Sequence, residues 1–152
     1  MKKTVTFKTE LFESQESKPH FINERCFGKD LAAWLRQQLH AAPFTLDEVI
    51  QEDYGWGFWA KAGEDTYWMA IGIFDESIGS EDAEWSVTVA ADASLNLFRR
   101  LFHKPKLEDL LSLCSAIDAA LHAEPKIREV QWWPREPFAG VGSAHPEAPV
   151  AV

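Results

Sequence analysis

Apolar and polar residues alternate along residues 4–13, with Val5, Phe7, Thr9 and Leu11 on one side and Thr6, Lys8 and Glu10 on the other. A period of two predicts a strand with one buried face. After a polar loop over residues 14–19 the period changes: Leu31, Trp34, Leu35 and Leu39 recur at helical spacing and predict a helix over residues 30–39, capped by Asp30. Pro43 closes that element, because proline cannot continue a helix. Period-two segments return at 54–62, 66–74 and 84–91, the first two joined by Gly63 and Glu64 as in a tight hairpin. Helices are predicted over 94–102 and 106–123, separated by Pro105; the second carries Leu107, Leu110, Leu111, Cys114, Ile117 and Leu121 on one side. A last strand, 127–133, stops at Pro134. The order β-α-β-β-β-α-α-β predicts an α+β fold, one antiparallel sheet of about five strands with helices mainly on one face. A single domain over residues 1–138 is expected, followed by a flexible tail, 139–152, of glycines, prolines and small residues.

The hairpin carries the least ordinary composition. Glu52-Asp53-Tyr54-Gly55-Trp56-Gly57-Phe58-Trp59 sets four aromatic rings and two glycines behind a carboxylate pair. With a two-residue loop, Ala62 meets Asp65, Trp59 meets Trp68, Gly57 meets Ala70 and Gly55 meets Gly72, while Phe58 and Met69, Trp56 and Ile71 share the other face. One face is bulky and core-like. The other is a shallow trough of glycine and alanine ending in a tryptophan pair. A helix could pack closely into such a trough, or it could stay open to a partner with Trp59 and Trp68 as anchors. Trp85, alternating with Val87 and Val89, reads as core; Trp132 and Trp133 are consecutive strand residues and cannot share a face.

Charge adds an asymmetry to this picture. The chain's formal charge is −9, yet twelve acidic residues against Lys61 give residues 44–92 a net −11, leaving +2 for the remainder. If these carboxylates share a face they repel nucleic acid and attract a cationic partner. The basic run Arg99-Arg100-Leu101-Phe102-His103-Lys104-Pro105-Lys106 reads as a solvated helix end or an internal partner for the acidic third. No apolar run approaches the roughly 20 residues a membrane helix needs, so no membrane contact and a cytoplasmic location are expected. Cys26 reads as a loop thiol and Cys114 as a small core hydrophobe, in no metal or redox spacing. Glu52 and Asp53 are neighbours in a strand and would not act as a catalytic pair. Asp75, Glu76, Glu81 and Asp82 bracket a Ser-Ile-Gly-Ser loop without calcium-loop spacing, and His20, His40, His103, His122 and His145 form no ligand motif. No nucleophile-elbow or phosphate-loop motif occurs, so no cofactor, metal or catalytic residue is assigned.

A short acidic α+β chain with many aromatics resembles small acidic immunity proteins of bacterial toxin systems, and E-D-Y-G-W-G-F-W followed by Y-W-M-A-I-G-I-F is similar in style to small uncharacterised bacterial proteins of that sort. The resemblance covers residues 4–133 and is general in character. It implies a binding protein that occludes a basic partner such as a toxin, with acidic groups steering association and aromatic anchors slowing release. The expected partner-binding residues are Asp47, Glu48, Glu52, Asp53, Asp75, Glu76, Glu81 and Asp82 with Trp59, Trp68 and Trp133. Two other readings stay open: a small enzyme or ligand-binding domain with a pocket between sheet and helices, using groups such as Asp53 or His122, and a structural homo-oligomer subunit. Either a monomer or a homodimer is compatible with these features.

Overall fold

A computed structural model of the chain describes residues 2–22, 25–40, 43–91 and 105–133. The helix expected over 94–102, the basic run as far as Lys104, Pro134 and the tail 139–152 lie outside these residues; Lys106, at the end of that run, pairs with Glu64 of the acidic third at 3.5 Å. Along the chain come β1 (Lys2–Thr9), α1 (Lys29–Leu39), β2 (Phe44–Leu46), β3 (Ile50–Glu52), β4 (Gly55–Ala62), β5 (Asp65–Ile73), a 3-10 turn (Asp75–Ser77), β6 (Ala83–Ala91), α2 (Leu107–Ala123) and β7 (Arg128–Trp133). The fold is α+β. Its sheet has seven antiparallel strands ordered β2-β4-β5-β6-β1-β7, with β3 also pairing with β4.

The expected five strands become seven because β2 and β3 are three residues each, Phe-Thr-Leu and Ile-Gln-Glu. Three residues carry no readable period. They exist because β4 offers them a ladder: Phe44, Thr45 and Leu46 lie opposite Ala62, Lys61 and Ala60, and Ile50, Gln51 and Glu52 opposite Gly57, Trp56 and Gly55. Glu52 therefore closes a strand of its own rather than opening β4. The hairpin register is the expected one, from Trp56 opposite Ile71 to Ala62 opposite Asp65.

Both described helices pack on the same side of the sheet. Leu31, Ala32, Leu35 and Leu39 from α1 and Leu110, Leu113, Cys114, Ile117 and Leu121 from α2 are buried with Val5, Phe7, Trp56, Phe58, Met69, Ile71, Trp85, Val87 and Val89. Each such side chain contributes about 1.5–3 kcal/mol by leaving water. Leu107 departs from the expected stripe and is exposed, and Leu113 takes a buried place. Nor is Asp30 the cap of α1. The helix starts one residue earlier, from Gly28 at φ 112, and the Asp30 carboxylate instead accepts the Glu13 N–H at 2.7 Å. Glycine is required there because a side chain would enter the left-handed region within 3.0 Å of Ile71. Cys26 is likewise buried rather than a loop thiol, its Sγ 3.5 Å and 3.7 Å from the Glu52 and Gly55 carbonyls.

The antiparallel registers place the starts of β4, β6 and β7 and the ends of β1, β3 and β5 together at one end of the sheet, here the lower end. The β4–β5 hairpin turn marks the upper end. Loops crowd the lower end, and most of the acidic groups follow them.

Candidate functional site

The face of the sheet away from the helices is built from the alternate residues of each strand. One row crosses it: Ile50, Gly57, Ala70, Thr88, Thr4 and Trp133, on β3, β4, β5, β6, β1 and β7. Directly opposed residues point to the same side, so all six belong to this face. A second row holds Trp59, Trp68, Ala90 and Lys2, and a third holds Gly72, Ser86 and Thr6. Small residues thus fill the middle and aromatics stand at both margins. Neither described helix covers this face, yet Thr4, Thr6 and Thr88 on it are buried, so its open part lies toward β4 and β5.

A groove of about 340 Å³ lies on it, lined by Lys2, Tyr54, Trp68, Ala70, Ile71, Gly72, Ser86, Thr88 and Ala90. The two trough glycines behave differently. A Cβ on Gly57 would fall 2.4 Å from Trp68 Cζ2 and 2.5 Å from the Met69 carbonyl, because the Trp68 indole lies down over this glycine. At Gly72 a Cβ would meet only Ser86 Oγ, at 3.6 Å. Gly57 therefore seats an aromatic ring of the chain itself, while Gly72 keeps the groove open. Trp68 is held in place: its Nε1–H donates to Tyr54 Oη at 2.7 Å, and its ring packs on Trp59 with centroids 5.0 Å apart and planes at 56°. Burial pushes the Tyr54 phenol above its ordinary range; the Trp68 bond opposes this and the Glu52 carboxylate adds to it. Tyr54 is nevertheless 62% exposed and Ile50 42%, so two of the four large exposed apolar side chains among the described residues flank this groove.

Trp132 and Trp133 divide as expected. Trp132 is buried on the helix side and donates to Asp118 at 2.9 Å, whereas Trp133 is half-buried on the opposite face and donates to buried Thr6 Oγ1 at 3.1 Å. Thr4 and Thr88, opposite one another, share a hydrogen bond of 2.9 Å.

The acidic residues do not gather on one face. Glu52, Asp53, Asp75, Glu76, Glu81 and Asp82 meet at the lower end, where β1 and its loop add Glu10, Glu13 and Glu16. Arg25 pairs with Asp75 at 3.0 Å, Arg128 with Asp82 and Lys126 with Glu10 at 3.1 Å. Asp47 and Glu48 form the β2–β3 turn instead. Arg36 holds that turn, its Nε donating to the Asp47 carbonyl at 2.7 Å and its Nη2 pairing with Glu48 at 3.3 Å. Glu64 and Asp65 belong to the upper end, and buried Asp65 accepts the Lys106 N–H at 2.7 Å. The loop acids line an open bowl of about 710 Å³ formed by Glu10, Glu13, Glu16, Asp30 and Glu81. Here too the backbone uses some of them: N–H bonds from Gln15 and Glu16 hold the Glu13 carboxyl below its usual range.

For ligand chemistry elsewhere the yield is small. Among the described residues no three His, Cys, Asp or Glu side chains are placed to hold a metal ion. His122 bonds Asp118 on α2, and His20 packs edge-on against Phe21 and Trp56. Neither Asp53 nor His122 lines the groove. Burial pushes the Cys114 thiol up to about 12, which keeps it protonated and inert at neutral pH. No described helix is long and apolar enough to cross a membrane.

Sequence reading placed Trp59, Trp68, Ala70 and Gly72 here and missed Tyr54, Ile50, Ser86, Thr88, Ala90 and Lys2. The signal for three of them was present. Ser86, Thr88 and Ala90 are the small alternate set of a strand whose other set, Trp85, Val87 and Val89, is apolar. Comparison of the chain with protein-family models, curated proteins and solved structures finds no match.

Proposed function

We propose that this chain is a protein-binding module, immunity-like in kind, that occludes a basic partner through the open face of its sheet. One observation carries the reading: an open groove over the small residues Ala70, Gly72, Ser86 and Ala90, with Tyr54, Trp68 and Trp59 at its margin and exposed Ile50 beyond them. Sheet faces are normally covered or polar, and aromatics around a desolvated patch are the composition of energetic hot spots. Trp68 supports it further, since a ring already pinned by Tyr54 loses little freedom on binding. Carboxylates at the lower end supply the steering, among them Glu52, which ends β3 opposite Gly55 on the groove's side of the sheet.

Basic proteins encoded beside this chain are the first candidates to mix with it. The expected outcome is a complex whose association rate falls between 0.05 M and 0.5 M salt, and whose dissociation speeds by about 10-fold or more on Trp59→Ala. Binding indifferent to both would sink the reading. A small-ligand site is the second reading, favoured by the volume of the groove and by the hydroxyls of Tyr54 and Ser86 in its lining. It predicts a ligand that displaces no protein partner and protects Trp68 from quenching.

A further inference from the structure

We infer that the groove seats one arginine side chain of the basic partner, its stem along Ala70 and Gly72 and its guanidinium at the corner formed by Tyr54, Trp68 and Glu52; this rests on the protein-binding reading above. The floor is apolar and unobstructed at Gly72, where only Ser86 Oγ comes within 4 Å of a built Cβ, at 3.6 Å. A methylene stem fits such a floor, as long cationic side chains do on apolar surfaces. The groove is polar in sense as well. Lys2 stands at its upper end beside Ala90, and Glu52, opposite Gly55 and two residues before Tyr54, at the lower end. A partner's cation is repelled at the first end and held at the second.

The lower corner also has the right surfaces. Tyr54 and Trp68 are electron-rich rings fixed to each other by a 2.7 Å hydrogen bond, and a guanidinium stacks on such rings better than an ammonium does. Tyr54 Oη receives the Trp68 N–H and keeps its own proton and a second lone pair for the newcomer. The Ser86 hydroxyl in the lining can accept from the same fork of N–H donors. A carboxylate side chain could take the Tyr54 and Ser86 hydroxyl protons but would gain no stacking. At this corner it would meet Glu52 and the negative faces of two rings.

The full chain titrated with nona-arginine, and separately with nona-lysine and nona-glutamate, tests the assignment through the tryptophan indole N–H resonances. Nona-arginine is expected to shift Trp68 and Trp59 saturably, while Trp56 and Trp132, bonded to Cys26 and Asp118 on the helix side, stay in place. Nona-lysine should bind about 2–5-fold more weakly, the size of the lost stacking. Gly72→Leu, which fills the groove from its open side, is expected to weaken nona-arginine by about 10-fold, and Tyr54→Ala at an exposed position by about 5-fold. Trp56 and Trp132 indole resonances at their parent positions show that Gly72→Leu keeps its fold. Unchanged affinity in both Gly72→Leu and Tyr54→Ala, or binding of nona-arginine that leaves the Trp68 resonance in place, would overturn the assignment. A basic protein that binds the parent and Gly72→Leu alike sinks the arginine seat while leaving the protein-binding reading intact. Nona-arginine seated in the groove with no basic protein binding there does the reverse.

Discussion

Gly57 and Gly72 are both glycines of a trough, yet they serve opposite ends. At Gly57 the missing side chain is occupied from within, by the Trp68 indole and the Met69 carbonyl, both under 3.0 Å from any added Cβ. Neither can yield cheaply: the carbonyl is ladder backbone and the indole is tied to Tyr54. Gly57→Ala is therefore expected to lose about 1–3 kcal/mol, the usual cost of overpacking, and to move the Trp68 indole N–H resonance. Gly72→Ala meets ordinary contact only, and loses unfolded-state freedom, so it should be neutral or gain up to about 1 kcal/mol. Urea denaturation of the two variants decides the matter. Equal costs would mean that Trp68 does not lie over Gly57 as described.

At the scale of elements, the two short strands along the β4 edge depend on a partner outside the sheet. β2 and β3 have only three residues each, and their turn is held by Arg36 of α1, which bonds the Asp47 carbonyl and pairs with Glu48. Arg36→Ala should raise amide exchange across residues 44–52 by 10-fold or more, with a global loss of only about 1 kcal/mol. Exchange that stays unchanged there would show that the β4 ladder suffices. The same dependence explains what the sequence could and could not reveal. The longer elements were legible because their periods run over many residues: Val5 and Phe7, Leu31 and Leu35, Trp56 and Phe58 declare their faces locally. Even the register of β4 and β5 followed from a two-residue loop. β2 and β3 were not legible, because Arg36 and the β4 ladder hold them from positions far along the chain or on another element. The groove was half legible for the same reason. Trp68, Ala70 and Gly72 come from one hairpin, whereas Ser86, Thr88 and Ala90 join them only once β6 pairs with β5. Tyr54 reaches Trp68 from a turn, a contact no periodicity encodes.

Over the whole molecule, the sheet divides its labour: the helix side holds the core, the opposite side holds the groove, and the lower end collects negative charge. Glu10, Glu13, Glu16, Glu52, Asp53, Asp75, Glu76, Glu81 and Asp82 meet there against Lys18, Arg25, Lys126 and Arg128. Exposed pairs of this kind contribute about 0–1 kcal/mol each and leave the excess uncompensated. Such crowding costs stability when screening is weak, and it is the source of the long-range field that the binding proposal needs. Sodium chloride raised from 0.01 M to 1 M shortens the screening length from about 30 Å to about 3 Å, and Tm should rise by about 2–6 °C as the repulsion fades. Glu76→Lys and Glu81→Lys, both exposed at this end, should raise Tm at low salt and leave it unchanged at high salt. Glu64→Lys at the upper end should not, because Glu64 already faces Lys106 at 3.5 Å and its reversal sets two cations together. A Tm that falls with salt in the parent chain would mean that the four cations already neutralise the lower end, and steering would then have to come from Glu52 alone.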